Sequence, residues 1–244
     1  MKIIMFFLSL LAMLGFSAPG HAEDAAEKAL DDARNYAASG DYAKALERHE
    51  WFHENALSIR PSYYGVRLSF ALSAWKRLGD QYPPALASLK ATRDADVRAL
   101  NEGTGTREDF HDVSSINQEL GEEDATVSLF KELHAQKPAL AKKCFPVIQE
   151  TLLAKGETDL FLQYAGELSS YMQTRVDRHR KLTQFIELQE HPGRESTLKH
   201  FDDKLVNTAL QLIAIAEKQG DQATAQKIRE IASDSVADRR LKTP

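Results

Sequence analysis

The chain has 244 residues, of which 43% are hydrophobic and 27% are charged, so it can form a core and is not a mostly disordered chain. Its 36 acidic and 31 basic residues give a net charge of -5, which disfavours nucleic-acid binding because phosphate contacts require a basic surface. The single cysteine, Cys144, excludes an internal disulfide framework and a cysteine-rich zinc site.

Residues 1–22 are predicted to be a secretory signal peptide. An apolar run over residues 3–16 follows a basic residue, and the small residues Gly20 and Ala22 fit a signal peptidase. The run is shorter than a membrane span, which needs about 20 residues, so an uncleaved anchor is the less favoured alternative. We therefore expect a mature chain that starts at Glu23, is periplasmic or secreted, and has no stable membrane insertion.

Beyond residue 23, apolar residues recur three and four positions apart, and no segment alternates as a strand does. The sequence therefore predicts an all-α fold. Glycine followed by an acidic residue separates the predicted helices at Gly40-Asp41, Gly79-Asp80, Gly121-Glu122, Gly156-Glu157 and Gly220-Asp221. Each glycine is expected to end a helix in the left-handed conformation. A spacing of about 34–42 residues between turns predicts antiparallel helix pairs stacked as an α-solenoid.

The unit that begins at Phe110 has the most complete repeat pattern. Val113 and Asn117 follow in its first helix, Thr126 stands at the small-residue position of the second, and Phe130 lies four residues later. This pattern resembles a tetratricopeptide repeat. The other units match with aromatic and small positions replaced. The resemblance implies a tetratricopeptide-like α-solenoid with degenerate repeats and about eleven helices.

A second resemblance covers residues 45–90. The segments WFHENAL at 51–57, YGVRLSFAL at 64–72 and YPPAL at 82–86 are similar to a group of bacterial exported tetratricopeptide-like proteins of unassigned activity. This resemblance implies an all-helical fold and implies no activity.

The predicted organisation has four parts. Residues 169–190 form one long predicted helix, which His191-Pro192-Gly193 ends and which interrupts the repeats. The parts are a signal peptide at 1–22, about four tetratricopeptide-like units at 23–168, an inserted long helix with its connector at 169–206, and a C-terminal helix pair at 207–244.

One motif has a catalytic precedent. His49-Glu50-Trp51-Phe52-His53 is a literal H-E-x-x-H, which on a helix can turn two imidazoles toward Zn²⁺ and use the glutamate as a general base. Charged residues flank the motif, and no third ligand follows at metalloprotease spacing. We favour helix packing and predict no metal and no cofactor; the alternative is a zinc peptidase centred on His49, Glu50 and His53.

The stacked helices are expected to expose one inner surface, or groove. Its predicted residues are Arg34, Ser69, Ser73, Lys76, Arg77, Glu108, His111 and Asp112. The change from cationic to anionic residues along this surface suits a protein or peptide segment, so we expect an exported, non-catalytic protein-binding scaffold or adaptor. Two further alternatives are a merely hydrated surface and a structural subunit whose groove is filled by its own helix at 169–190.

Overall fold

A computed structural model describes residues 24–188, 190 and 192–242. The predicted signal peptide lies outside these described residues. Within them the regular structure is helical throughout, which confirms the all-α prediction. The α-helices are α1 (Ala25–Ser39), α2 (Tyr42–Ile59), α3 (Tyr64–Arg67), α4 (Phe70–Gly79), α5 (Pro83–Glu102), α6 (Arg107–Leu120), α7 (Glu123–Gln136), α8 (Pro138–Ala154), α9 (Thr158–Ala165), α10 (Leu168–Glu187), α11 (Arg194–Lys218) and α12 (Gln222–Ser233). Two short 3-10 turns span Pro61–Tyr63 and Arg239–Leu241.

The chain divides into two compact units, unit 1 through Ile148 and unit 2 from Gln149. These bounds differ from the predicted ones. The 25 residues of α11 form one continuous helix across the expected boundary between 206 and 207, because no Gly or Pro interrupts them. Among the described helices, none is long and apolar enough to cross a membrane.

In unit 1, most helices pack against more than one neighbour along the chain. Helix α2 contacts α1 and α4, α4 contacts α5 and α6, and α5 contacts α6 and α7. Two buried clusters hold these helices together. The first consists of Ala26, Ala29, Phe52, Ala56 and Ala71, and the second of Ala45, Leu72, Trp75, Leu78, Ala85, Leu89 and Ile116. Small residues such as Ala45 and Ala85 are fully buried, so helices approach closely there.

Helix α1 has a defined signal at each end. The Asp24 carboxylate accepts hydrogen bonds from the backbone N–H groups of Ala26 and Glu27, at 3.1 and 2.9 Å. At the other end, Gly40 takes a left-handed φ of 81°, as its turn pattern predicts. The prediction was wrong for Gly79, which is the last residue of α4 and has no positive φ.

Gly79 serves helix packing, since a Cβ at this position would lie 2.8 Å from the Leu86 Cβ and 3.0 Å from the Leu86 Cα on α5. We expect Gly79→Ala to push α4 away from α5 and to lower the free energy of unfolding by about 1–3 kcal/mol. Gly65→Ala is the matched control, because a Cβ there would meet nothing within 4 Å. Urea denaturation measures both, and equal midpoints for the two variants would contradict this packing.

In unit 2, α10, α11 and α12 each pack against the other two. The buried apolar residues of these three helices include Met172, Val176, Leu205, Val206, Ala209, Leu212, Ala216, Ile228 and Ala232. The long helix predicted at 169–190 corresponds to α10, which begins at Leu168 and ends at Glu187. Its N-terminus is capped by Glu167, whose carboxylate accepts hydrogen bonds from the backbone N–H groups of Ser169 and Ser170.

Candidate functional site

A cleft of about 570 Å³ opens in unit 1 between α1, α2 and α4. We call it the unit 1 groove. Helices α1 and α4 form its two walls and carry apolar residues at helical spacing. Helix α2 contacts both of them and lies between the two walls. The apolar lining includes Leu30, Ala33 and Ala37 from α1 and Phe70, Ala74 and Leu78 from α4. Four of its lining residues are alanines, whose short side chains leave space in the groove.

The charge of the unit 1 groove comes from Arg34 on α1 and Arg77 on α4, and no carboxylate lines it within the described part of the chain. Arg34 pairs with Asp31 at 2.8 Å, but both side chains are largely exposed, so water screens the pair. Arg77 is exposed and makes no ion pair with any described residue. The two guanidinium groups therefore give the groove a positive character.

His49, on α2, lines the unit 1 groove. It is 5% exposed, and its Nδ1 has no hydrogen-bond partner among the described residues. Burial, reinforced by the charge of Arg77, lowers the pKa of His49 to about 4, so the imidazole is neutral at pH 7. Its ring stacks on Trp75 with centroids 6.2 Å apart and an interplanar angle of 9°. His49 is therefore an aromatic residue of the groove lining, and its Nδ1 lacks a hydrogen-bond partner among the described residues.

The residues of the H-E-x-x-H motif contact different neighbours. The ring centroids of His53 and Trp75 are 5.8 Å apart and their planes are inclined by 70°, so both imidazoles pack against one tryptophan of α4. Glu50 instead accepts a hydrogen bond from the Ser88 hydroxyl on α5. Within the described residues, no group of three or more His, Cys, Asp or Glu side chains is placed to hold a metal ion.

A buried ion pair lies next to this motif. The Arg67 guanidinium donates bidentately to Asp112, with Nη1–Oδ1 at 2.5 Å and Nη2–Oδ2 at 2.6 Å, and the two side chains are 11% and 8% exposed. Arg67 also donates from Nε to the His53 carbonyl at 2.6 Å and from Nη2 to His53 Nε2 at 2.9 Å. Asp112, predicted to lie on the groove surface, thus belongs to a buried contact that joins α2, α3 and α6.

The buried pair affects two further titratable groups. Burial and the positive charge of Arg67 lower the pKa of His53 to about 3. Because Nε2 accepts from Arg67, the ring proton of His53 is on Nδ1, which has no partner among the described residues. Burial and the nearby carboxylates Asp112 and Asp109 raise the pKa of Asp96 to about 7.

The two predicted groove serines form hydrogen bonds inside unit 1. The Ser73 hydroxyl donates to Glu119 Oε1 at 2.6 Å and so joins α4 to α6. The Ser69 hydroxyl donates to the Gly65 carbonyl at 2.6 Å, between α3 and α4. Neither serine lines the unit 1 groove.

The other predicted groove residues are also placed apart from the unit 1 groove. Lys76 pairs with Asp80 at 2.9 Å, one turn later in the chain. Glu108 is exposed and pairs with the arginine that precedes it at 3.3 Å. His111 is half-buried, with its Nδ1 2.7 Å from the Tyr64 hydroxyl. Of the eight predicted residues, the structure brings only Arg34 and Arg77 together at this groove.

Arg67 was not among the residues predicted from the sequence. It is the only charged residue in the apolar segment 64–72, and such an isolated charge is typical of a paired, buried side chain. That signal could have suggested a buried ion pair. Its partner Asp112 lies 45 residues away and could not have been read from local sequence.

Unit 2 contains a Ser-His-Asp arrangement that the sequence did not suggest. His179 Nε2 lies 2.8 Å from Asp202 Oδ1, and the Ser235 hydroxyl lies 3.3 Å from His179 Nδ1. His179 is buried on α10, Asp202 is on α11, and Ser235 follows α12. These hydrogen bonds join the chain segment after α12 to the two longest helices of unit 2.

These features define an all-α protein with an open, apolar and positively charged groove in its first unit. No protein-family model, curated protein or solved structure matches the chain.

Proposed function

We propose that this protein is an exported, tetratricopeptide-like scaffold or adaptor that binds a protein partner noncovalently through the unit 1 groove and catalyses no reaction. The observation that carries this proposal is the apolar groove of about 570 Å³, in which Arg34 and Arg77 supply the charge of the described lining. Ligand sites commonly have volumes of about 300–1,000 Å³, an apolar lining and a few polar groups.

The scaffold part of the proposal is supported by helix packing in unit 1. Helices α4 and α5 each contact the next two helices along the chain, which is the neighbour pattern of stacked helix pairs. Export is supported by the signal-peptide pattern of residues 1–22. Together these features support a protein that acts in the periplasm or outside the cell.

A zinc peptidase has less support than binding does. The Glu50 carboxylate accepts its hydrogen bond from α5, whereas both imidazoles of the motif contact Trp75 on α4. In addition, His53 Nε2, a usual metal-binding atom, lies within hydrogen-bond distance of the Arg67 guanidinium. The motif residues are therefore better placed for packing than for activating water.

Charge reversal in the groove tests the proposed function. We expect the double variant Arg34→Glu, Arg77→Glu to lower crosslinked partner capture from an exported-protein fraction at least tenfold and to leave the circular dichroism spectrum unchanged. Both side chains are exposed, and surface substitutions usually change stability by less than about 0.5 kcal/mol. Wild-type capture should also weaken as salt rises to about 0.5 M, where charges are strongly screened.

The matched control is Arg98→Glu, Lys142→Glu, which makes the same change in net charge at exposed positions away from the groove. It should capture the same partners as the wild type. Equal capture by wild type and the groove variant would refute binding through this groove.

A further inference from the structure

The unit 1 groove has the dimensions of a helix-binding site. Its lining residues run from Leu30 to Ala37 on α1 and from Phe70 to Leu78 on α4. At a rise of 1.5 Å per residue, these stretches extend over roughly 10 and 12 Å, or about two turns. Resting on the proposed function, we infer that the bound segment of the partner is an amphipathic helix with a carboxylate beside its apolar stripe.

The lining favours a helix over an extended peptide because it offers few groups that could pair with a peptide backbone. The Tyr42 hydroxyl already donates to Gln81 Oε1 at 3.0 Å. Most other lining residues are Ala, Leu, Val or Phe. An extended segment would bury unpaired N–H and C=O groups, each at a cost of about 1–3 kcal/mol. A helix satisfies its own backbone and needs only an apolar side-chain stripe at the contact.

The short side chains on α1 and α4 also favour a helix as the occupant of the groove. Ala37 on α1 and Ala74 on α4 line the groove from partly exposed positions, and Ala33 and Ala71 line it from buried positions beneath them. Alanine lets a neighbouring helix approach to the short interaxial distances of helix packing, about 8–10 Å. Larger apolar side chains of the incoming helix can then fill the space between these alanines.

Charge determines the polar part of the occupant. Arg34 and Arg77 lie on α1 and α4, and no carboxylate is among the described lining residues; Asp31, outside the lining, pairs with Arg34 through a contact that water screens. A Glu or Asp on the incoming helix would form charge-assisted hydrogen bonds with one or both guanidinium groups. His49, 5% exposed, lines the same groove with its Nδ1 unpartnered.

Two peptide-display libraries test the inference. One randomises positions i, i+3, i+4, i+7 and i+8 of a helix-forming Ala/Glu/Lys host, and the other carries the same random positions in a host with a central proline, which prevents a continuous helix. Both are selected against the protein purified after export. We expect binders from the helical library only, with apolar residues on one stripe and an Asp or Glu beside it.

Affinities of the selected peptides then locate the site. By fluorescence anisotropy, Arg34→Glu with Arg77→Glu should weaken binding at least tenfold, and Arg98→Glu with Lys142→Glu should change it less than twofold. Ala74→Phe, which fills the groove without changing charge, should also weaken binding. Circular dichroism of each variant checks that the fold is retained.

The outcomes separate this inference from the proposed function. Groove-dependent binders from the proline library alone would overturn the helical occupant and leave protein binding in place. Helical binders that carry basic residues, or that bind the wild type and the Arg34→Glu, Arg77→Glu variant equally well, would overturn the inference that the bound helix is acidic. No binder from either library, together with displacement of a fluorescent probe by dodecanoate, would identify a small amphipathic acid as the occupant and overturn both proposals.

Discussion

Replacing Arg67 with methionine should lower the free energy of unfolding by about 3–5 kcal/mol. The substitution leaves Asp112, whose side chain is 8% exposed, as a buried carboxylate without its bidentate partner. It also removes the hydrogen bond from Arg67 Nε to the His53 carbonyl. Urea denaturation followed by circular dichroism at pH 7.5 measures the loss.

The double variant Arg67→Met, Asp112→Leu separates the charge from the shape of this contact. Because removal of both charges leaves no uncompensated ion, we expect it to recover most of the stability that the single variant loses. Arg98→Met, at an exposed position of α5, is the control and should change stability by less than about 0.5 kcal/mol. A single variant at Arg67 that matched this control would show that the pair is not buried in solution.

The helices could be predicted because their signals are local. Apolar spacing depends on residues within about two turns, and Gly40 ends α1 in the left-handed conformation that its turn pattern requires. Gly79 has the same sequence pattern, but it has no positive φ and lies where a Cβ would clash with Leu86 on α5. A turn glycine and a packing glycine cannot be distinguished until the partner helix is placed.

The organisation of the second half was harder to predict for a related reason. The repeat pattern places a unit boundary near residue 206, whereas α11 continues through it as one helix. A repeat period describes the average spacing of turns. Whether a helix continues past an expected boundary depends on the residues between the turns. Because α11 contains no Gly or Pro, nothing in its sequence interrupts the helix.

The groove could be predicted only in part, because neighbours on a helix differ by about 100° in direction. Arg77 lines the unit 1 groove, but the adjacent Lys76 turns toward Asp80. Likewise, Asp112 is directed to Arg67 and not to the surface. The solvent-exposed and buried faces of a helix differ by one residue in register. That register depends on contacts between residues that are more than 40 positions apart in the sequence, such as Arg67 and Asp112, which are 45 apart.

The stability of the protein should fall with decreasing pH below about 6.5 because of His49 and His53. Their pKa values in the folded chain are about 4 and about 3, whereas an unfolded histidine has a pKa of about 6.5. As the pH falls, the unfolded chain binds these two protons first, so unfolding becomes more favourable. Each histidine contributes a slope of about 1.4 kcal/mol per pH unit between pH 6.5 and its folded pKa.

Asp96 acts in the opposite direction over part of this range. Its folded pKa of about 7 lies above the unfolded value of 3.8, so between these values the folded chain holds the additional proton and gains stability as the pH falls. At pH 6.5 each unfolded histidine is only half protonated, so the three groups nearly balance there, and their net difference rises to about one proton near pH 5. From these groups the pH dependence of the unfolding free energy should therefore steepen as the pH falls, to about 1.2 kcal/mol per pH unit near pH 5.

His53→Gln should remove one of these protons and keep the contact with Arg67, because the glutamine carbonyl can accept the hydrogen bond from Nη2 that His53 Nε2 now accepts. The difference in unfolding free energy between wild type and variant should be constant above pH 7. Between pH 6.5 and 5 it should shift by about 2 kcal/mol in favour of the variant, since only the wild type carries the titrating imidazole. Urea denaturation at half-unit pH steps measures this shift. Parallel pH profiles for the two proteins would mean that the His53 imidazole is solvated in the folded chain, and the hydrogen bond from Arg67 Nη2 to His53 Nε2 would then have to be rejected as well.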